Sequence, residues 1–269
     1  MKEIFTSEEL DVSKAETWLK TRKKERLQRQ IKHFRFYKEI FQNVLDSIIL
    51  EAGCGSGRWI SFLDTLHKTG VGLDFDIETL VQSTKYFSLS FQQSSFLGGD
   101  VRELPLKDNS IKGYVSIGVV EHFEDDAIKK IFADAYRVLK EDGIAFFSIP
   151  NKKALWKQAF NFLKKIGWNP QEKFLMLYER DLSLEQLCCF AESAGFHVLT
   201  MGYHDFWYNI YAPVKYIFEE EAYFIKNILL NIDPFGKIFK KVSNGIYLLC
   251  SKHKMEPPAL KYGFSINHL

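Results

Sequence analysis

The chain has 269 residues, 46% hydrophobic and 26% charged, a globular balance that supports a sizeable core and excludes wholesale disorder. A formal net charge of +2 is too small to imply a polyanionic partner for the molecule as a whole. Cys54, Cys188, Cys189 and Cys250 have neither metal-ligand spacing nor the density of a disulfide framework. No apolar run approaches the roughly 18 residues of a membrane span, and no signal-peptide pattern opens the sequence, so the expected location is the cytoplasm.

Residues 1–45 form a segment ahead of the first strand. Within it, residues 16–41 lack Pro and Gly, and Leu19, Leu27, Ile31, Phe34, Tyr37, Ile40 and Phe41 recur near helical spacing. The polar positions are basic from Lys20 to Lys38, with Glu25 the only acid in that interval. Such a face is either solvated or a contact for anionic lipid, nucleic acid or a phosphorylated substrate.

Ile48, Ile49 and Leu50 make a short apolar run suited to a buried parallel strand, and Trp59, Ile60, Phe62, Leu63 and Leu66 follow as a helical pattern. Between them lies Glu51-Ala52-Gly53-Cys54-Gly55-Ser56-Gly57. Strand, glycine turn and helix are the first half of a βαβ unit, with a backbone that a ligand can approach. The spacing differs from G-x-G-x-x-G, and the preceding acid repels phosphate while suiting a cationic amine. This stretch resembles the first motif of class I S-adenosylmethionine-dependent methyltransferases.

Val71 to Asp76 reads as the second strand, ending in acids about 20 residues beyond the glycines, where a carboxylate can accept both hydroxyls of a ribose. Asp74 fits that role, and Asp76 fits an N-cap of the next helix. Ser94 to Leu97 is the third strand, followed by Gly98-Gly99-Asp100-Val101. The turn-rich Leu104–Ser110 leads into the fourth strand, Ile111–Gly118. Glu121-His122-Phe123 follows at the strand end that faces the ligand crevice of an open α/β sheet. His122 is a candidate proton acceptor, against the alternative that Glu121 and His122 cap the helix beginning at Asp125.

That helix closes on Arg137-Val138-Leu139-Lys140. A turn at Asp142-Gly143 and the strand Ile144–Ile149 come next. Residues 152–178 form a basic, aromatic insertion. Residues 181–196 return to a helix, with Ser183 as N-cap and Gly195 as its stop, and His197–Tyr203 is the sixth strand. Residues 204–241 form a second aromatic insertion, Ile246–Cys250 is the seventh strand, and residues 255–269 read as a loose tail.

From Ile48 to Ile149 these features follow the methyltransferase order. The resemblance implies a seven-stranded, mostly parallel Rossmann-like sheet with its last strand antiparallel and helices on both faces. It places the domain at residues 46–254, with N-terminal helices and a cap from the two insertions. It implies S-adenosylmethionine as cofactor, leaving S-adenosylhomocysteine, held by Glu51, Gly53, Cys54, Gly55, Gly57, Asp74, Phe75, Asp100, Val101 and Gly118. Tyr37, His122, His204, Trp207, Tyr208 and Tyr211 are the expected acceptor-binding residues, with His122 as catalytic candidate.

Some relatives of this kind hold a divalent metal with an added Glu at the place Gly118 occupies here, so no metal is expected. The expected reaction is methyl transfer to a small hydrophobic, aromatic, lipid-linked or sugar-linked acceptor, at oxygen. RNA methylation and a non-catalytic cofactor-binding module are the alternatives. Peripheral contact with an anionic membrane is compatible with the basic segments, and oligomeric state is left open.

Overall fold

The structure is a computed structural model that describes residues 36–42, 44, 47–57, 59–60, 63, 69–88, 94–167, 180–205, 240–258, 260 and 264–266. Its centre is a sheet of β1 (Ile49–Ala52), β2 (Gly70–Asp74), β3 (Ser95–Gly98), β4 (Ile111–Ile117), β5 (Leu139–Pro150), β6 (His197–His204), β7 (Gly245–Ser251) and β8 (Phe264–Ile266). The spatial order is β3-β2-β1-β4-β5-β7-β6-β8. The strands from β3 to β5 pair in parallel, and β7 runs antiparallel between β5 and β6. The order reverses between β1 and β4, and in such sheets the crevice beyond the carboxyl ends of those two strands is where ligands bind.

Two expectations from the sequence change. The Asp142-Gly143 turn is absorbed into β5, which runs unbroken from Leu139 and shifts register against β4 between Ile111 and Gly113. The tail read as loose adds β8, an antiparallel edge pairing Met201, Gly202 and Tyr203 with Ile266, Ser265 and Phe264. Backbone hydrogen bonding to an open edge holds so short a segment where its composition does not.

The described helices include a turn at residues 36–41, then α1 (Ile77–Ser88), α2 (Asp125–Val138), α3 (Leu155–Lys165) and α4 (Leu184–Ser193). Asp76 caps α1 as expected, accepting the amides of Glu78 and Thr79 and the hydroxyl of Thr79. Ser183 caps α4 in a reciprocal box whose partner is Gln186, and Gly195 ends that helix region at φ 99°.

Strand alternation sorts the side chains into two cores. Leu50, Tyr114, Phe147, Leu248 and Cys250 pack with α2 and α4, where Phe132 stacks on Phe147 at 4.0 Å between ring centroids. Ile49, Val115, Phe146, Tyr247 and Leu249 face the other way, against Phe36, Tyr37, Ile40 and Phe41 of the N-terminal helical turn.

Candidate active site

The glycine loop is held from both sides. The amides of Gly53 and Cys54 donate to the Leu73 carbonyl at 2.7 and 2.9 Å, and the Gly57 amide donates to the Cys54 carbonyl at 2.8 Å. Gly53 sits at φ 78°, and a Cβ there would collide with the side chain of Val119. Gly55, at φ 47°, is different: a Cβ there would meet nothing within 4 Å, so the loop presents bare backbone to open space.

Asp74, buried at the carboxyl end of β2, accepts the Gly55 amide on Oδ2 at 2.7 Å and the Asp76 amide on Oδ1 at 3.1 Å. Each carboxylate oxygen has two lone pairs, so this local work leaves acceptor capacity on both. Beside it Phe75 is 70% exposed, an uncovered ring at the crevice rim.

Asp100 is half-exposed and paired with Arg102, whose amide and guanidinium both donate to its carboxylate. The Arg102 guanidinium also lies 5.7 Å over the ring of Phe123, tying the Asp100 turn to the loop after β4. Val101 is buried next to it, and Gly118 ends β4 at φ 69° with its amide on the Ser148 carbonyl.

The electrostatics point one way. Burial, then the charges of Glu51 and Asp74, push the Cys54 thiol well above its ordinary range, so it stays protonated. Burial, then Asp205 and Glu51, do the same to the Tyr37 phenol. Glu51 acts on both groups and is itself buried at the end of β1. Carboxylates from two adjacent strands, Glu51 of β1 and Asp74 of β2, therefore act on the loop, a field that attracts a cation and opposes a pyrophosphate.

A β4 end with a glycine turn, a β2 acid bracing the loop and a negative crevice is chemistry for a positively charged nucleoside. Residues 49–143 match the family model described as a methyltransferase domain. Those residues form a methyltransferase domain, and the curated relatives the chain resembles are S-adenosylmethionine-dependent methyltransferases.

Among methyltransferases it is 27% identical, over 62% of its length, to a probable S-adenosylmethionine-dependent methyltransferase of Mycolicibacterium smegmatis. It is 24% identical, over 54% of its length, to a malonyl-[acyl-carrier protein] O-methyltransferase of Hamiltonella defensa. The matches span 58% and 53% of those relatives' own lengths. A solved Thermotoga maritima methyltransferase, described as a possible histamine N-methyltransferase, shares the fold at TM-score 0.53 and 18% identity, covering 90% of this chain and 96% of its own.

The family's cofactor is S-adenosylmethionine, and the residues present fit it: open backbone at Gly55, a buried carboxylate at Asp74, an exposed ring at Phe75 and no cation in the loop from Glu51 to Gly57. His122 lies in a 3-10 turn, Val120–His122, half-buried, and its amide donates to Val119. It does not cap α2. Glu124 holds the N-cap position, without a side-chain hydrogen bond.

His204 differs from the expectation of a residue lining an open acceptor site. It is 4% exposed, and its ring lies between Gly245 and Phe36, with Nε2 at 2.7 Å from Ser148 Oγ. Its Nδ1 is 3.1 Å from Asp205 Oδ2, off the axis of an aligned hydrogen bond. Tyr37 packs edge-on against the same ring, 6.2 Å away. Trp207, Tyr208 and Tyr211 lie outside the described residues, as does Phe34.

Sequence reasoning missed the groups that connect these parts. Ser148 interrupts an apolar strand, and Asp205 follows His204 at φ 56°, where few residues other than Gly, Asn and Asp sit. Arg180, where the chain returns from the first insertion, donates to the Phe123 carbonyl at 2.9 Å and pairs with Asp125 at 2.8 Å, and its amide donates to the Glu121 carbonyl. These clamps fix the loop that carries His122.

Proposed function

We propose that the chain transfers a methyl group from S-adenosylmethionine to a small hydrophobic, aromatic, lipid-linked or sugar-linked acceptor, at oxygen, by in-line displacement. The observation that carries the reading is the crevice itself: backbone bared at Gly55, with Glu51 and Asp74 both setting its charge negative. The bound cofactor supplies a methyl group on a sulfonium already primed to leave.

The protein's part is alignment and exclusion of water. Gly53, Gly55 and Asp74 would hold the nucleoside end, Phe75 and Val101 would contact the base, and Asp100 would accept from its amino group. His122, on its clamped turn, accepts the hydroxyl proton that the acceptor loses. The printed name of the Hamiltonella relative, an O-methyltransferase, supports oxygen as the target, and the aromatic content of the two insertions supports a hydrophobic acceptor.

The test is labelled methyl transfer. The protein is incubated with methyl-labelled S-adenosylmethionine and separated small-molecule, lipid and RNA fractions from its source cells. Label in a base-labile or ether-type product of the first two fractions is expected. Label in RNA assigns the basic segment before residue 38 to substrate binding instead. Cofactor binding with no labelled product in any fraction favours the non-catalytic module.

A further inference from the structure

The first insertion opens with α3, which leaves the carboxyl edge of the sheet directly after β5. Its inner side is well anchored. Trp156 and Phe160 are buried edge-to-face at 5.6 Å, and Trp156 Nε1 donates to Asn244 Oδ1 at 2.8 Å. Asn151, just before the helix, donates from Nδ2 to the carbonyls of Lys241 and Ser243.

The outer side is apolar where a helix of this composition would ordinarily be polar. Leu155 is 51% exposed, Phe162 and Ile166 are each 64% exposed, and Ala159 is exposed between them. Spacings of four, three and four residues put these side chains within one narrow stripe. Lys152, Lys153 and Lys165 are exposed at its two ends, Lys157 lies against the ring of Trp156, and no Asp or Glu occurs from residue 151 to 168.

Lys152 and Lys153 at the start of α3 oppose the helix dipole, so intrahelical stability does not explain them; the acid that acts with them is the exposed Glu185 of α4. An apolar stripe with cationic ends and no acid of its own is the pattern of a helix lying in a lipid interface, with rings and aliphatics among the acyl chains and lysines among anionic headgroups. We propose that α3 docks the protein on an anionic lipid surface through Leu155, Ala159, Phe162 and Ile166, with Lys152 and Lys165 contacting headgroups. Because α3 emerges at the ligand edge, docking brings that edge to the membrane. The proposal stands whether or not the acceptor is itself a lipid.

The test is flotation of the full chain with vesicles of phosphatidylcholine alone or mixed with phosphatidylglycerol. Binding to the anionic vesicles, lost in high salt, is expected. Phe162→Ser with Ile166→Ser, and separately Lys152→Glu with Lys165→Glu, should each weaken it about ten-fold or more, the size of one or two lost side-chain transfers or headgroup contacts.

Calorimetry of S-adenosylmethionine binding should be the same in all variants, which separates this outcome from any failure of the methyl-transfer reading. Phe162→Trp should emit at long wavelength in buffer and shift to the blue on adding anionic vesicles. No flotation of the wild type overturns the proposal. Equal flotation of the variants also overturns it, placing the contact elsewhere. A reporter already blue in buffer and unmoved by vesicles overturns it as well, showing the stripe covered by the chain itself or by a second copy.

Discussion

Along β5 the side chains run Phe146, Phe147, Ser148, Ile149, and the strand's alternation sends them to two unlike environments. Phe147 and Ile149 join Phe132, Leu187 and Leu248 in a core filled by hydrocarbon and closed by α2 and α4. Phe146 and Ser148 face the N-terminal helical turn, where Glu51, Tyr37 and His204 are buried among apolar neighbours near the carboxyl edge. Burying polar groups costs stability unless they are partnered, so one face serves mainly to hold the sheet and the other gives up some of that for a charged crevice.

Phe132 lies on the hydrocarbon side of the sheet. Truncation to Ala should cost about 3–5 kcal/mol of unfolding free energy, read by denaturant titration, while native molecules bind S-adenosylmethionine as before. An equal loss of cofactor affinity would mean the two faces are not separate in function. The opposite pattern is expected for Asp74→Ala. Removing the acceptor of the Gly55 amide and of the ribose should weaken cofactor binding about ten- to hundred-fold, corresponding to about 1.5–3 kcal/mol, with the fold intact by circular dichroism.

Ser148→Ala sharpens the comparison from the polar side. It strands His204 Nε2 in a buried setting and should cost about 1–3 kcal/mol of stability, with cofactor affinity unchanged. The smallest effect concerns pH. The hydrogen-bonded Arg102 guanidinium holds the Asp100 carboxyl below the ordinary carboxylate range, outweighing its partial burial. With the folded value depressed, the pair's contribution is complete above the unfolded carboxyl value and fades as pH falls through the folded one. Arg102→Leu should move the acid limb of cofactor binding to higher pH, with little change in melting temperature because the pair is exposed.

The sheet from β1 to β5 was legible because each strand carries a short apolar run bounded by Gly, Asp or Pro, although Asp142-Gly143 does not interrupt β5. The residues expected to hold the cofactor sit at strand ends marked by those same signals. What could not be read are relationships between distant segments. Ser148 and His204 are 56 residues apart and meet only because β7 inserts antiparallel between β5 and β6. Arg180 reaches Phe123 across 57 residues for the same kind of reason. His204 looked like an acceptor contact from its place at the start of an aromatic stretch, and the pleat of β6 turns it inward instead.

If the carboxylates of the crevice beyond β1 and β2 select a positively charged sulfur nucleoside, calorimetric titration of the same protein sample with S-adenosylmethionine and with NAD will distinguish the two ligands. Binding of S-adenosylmethionine at one site per chain, with no heat from NAD, is the predicted result. A dinucleotide that binds, or a sulfonium nucleoside that does not, would contradict it.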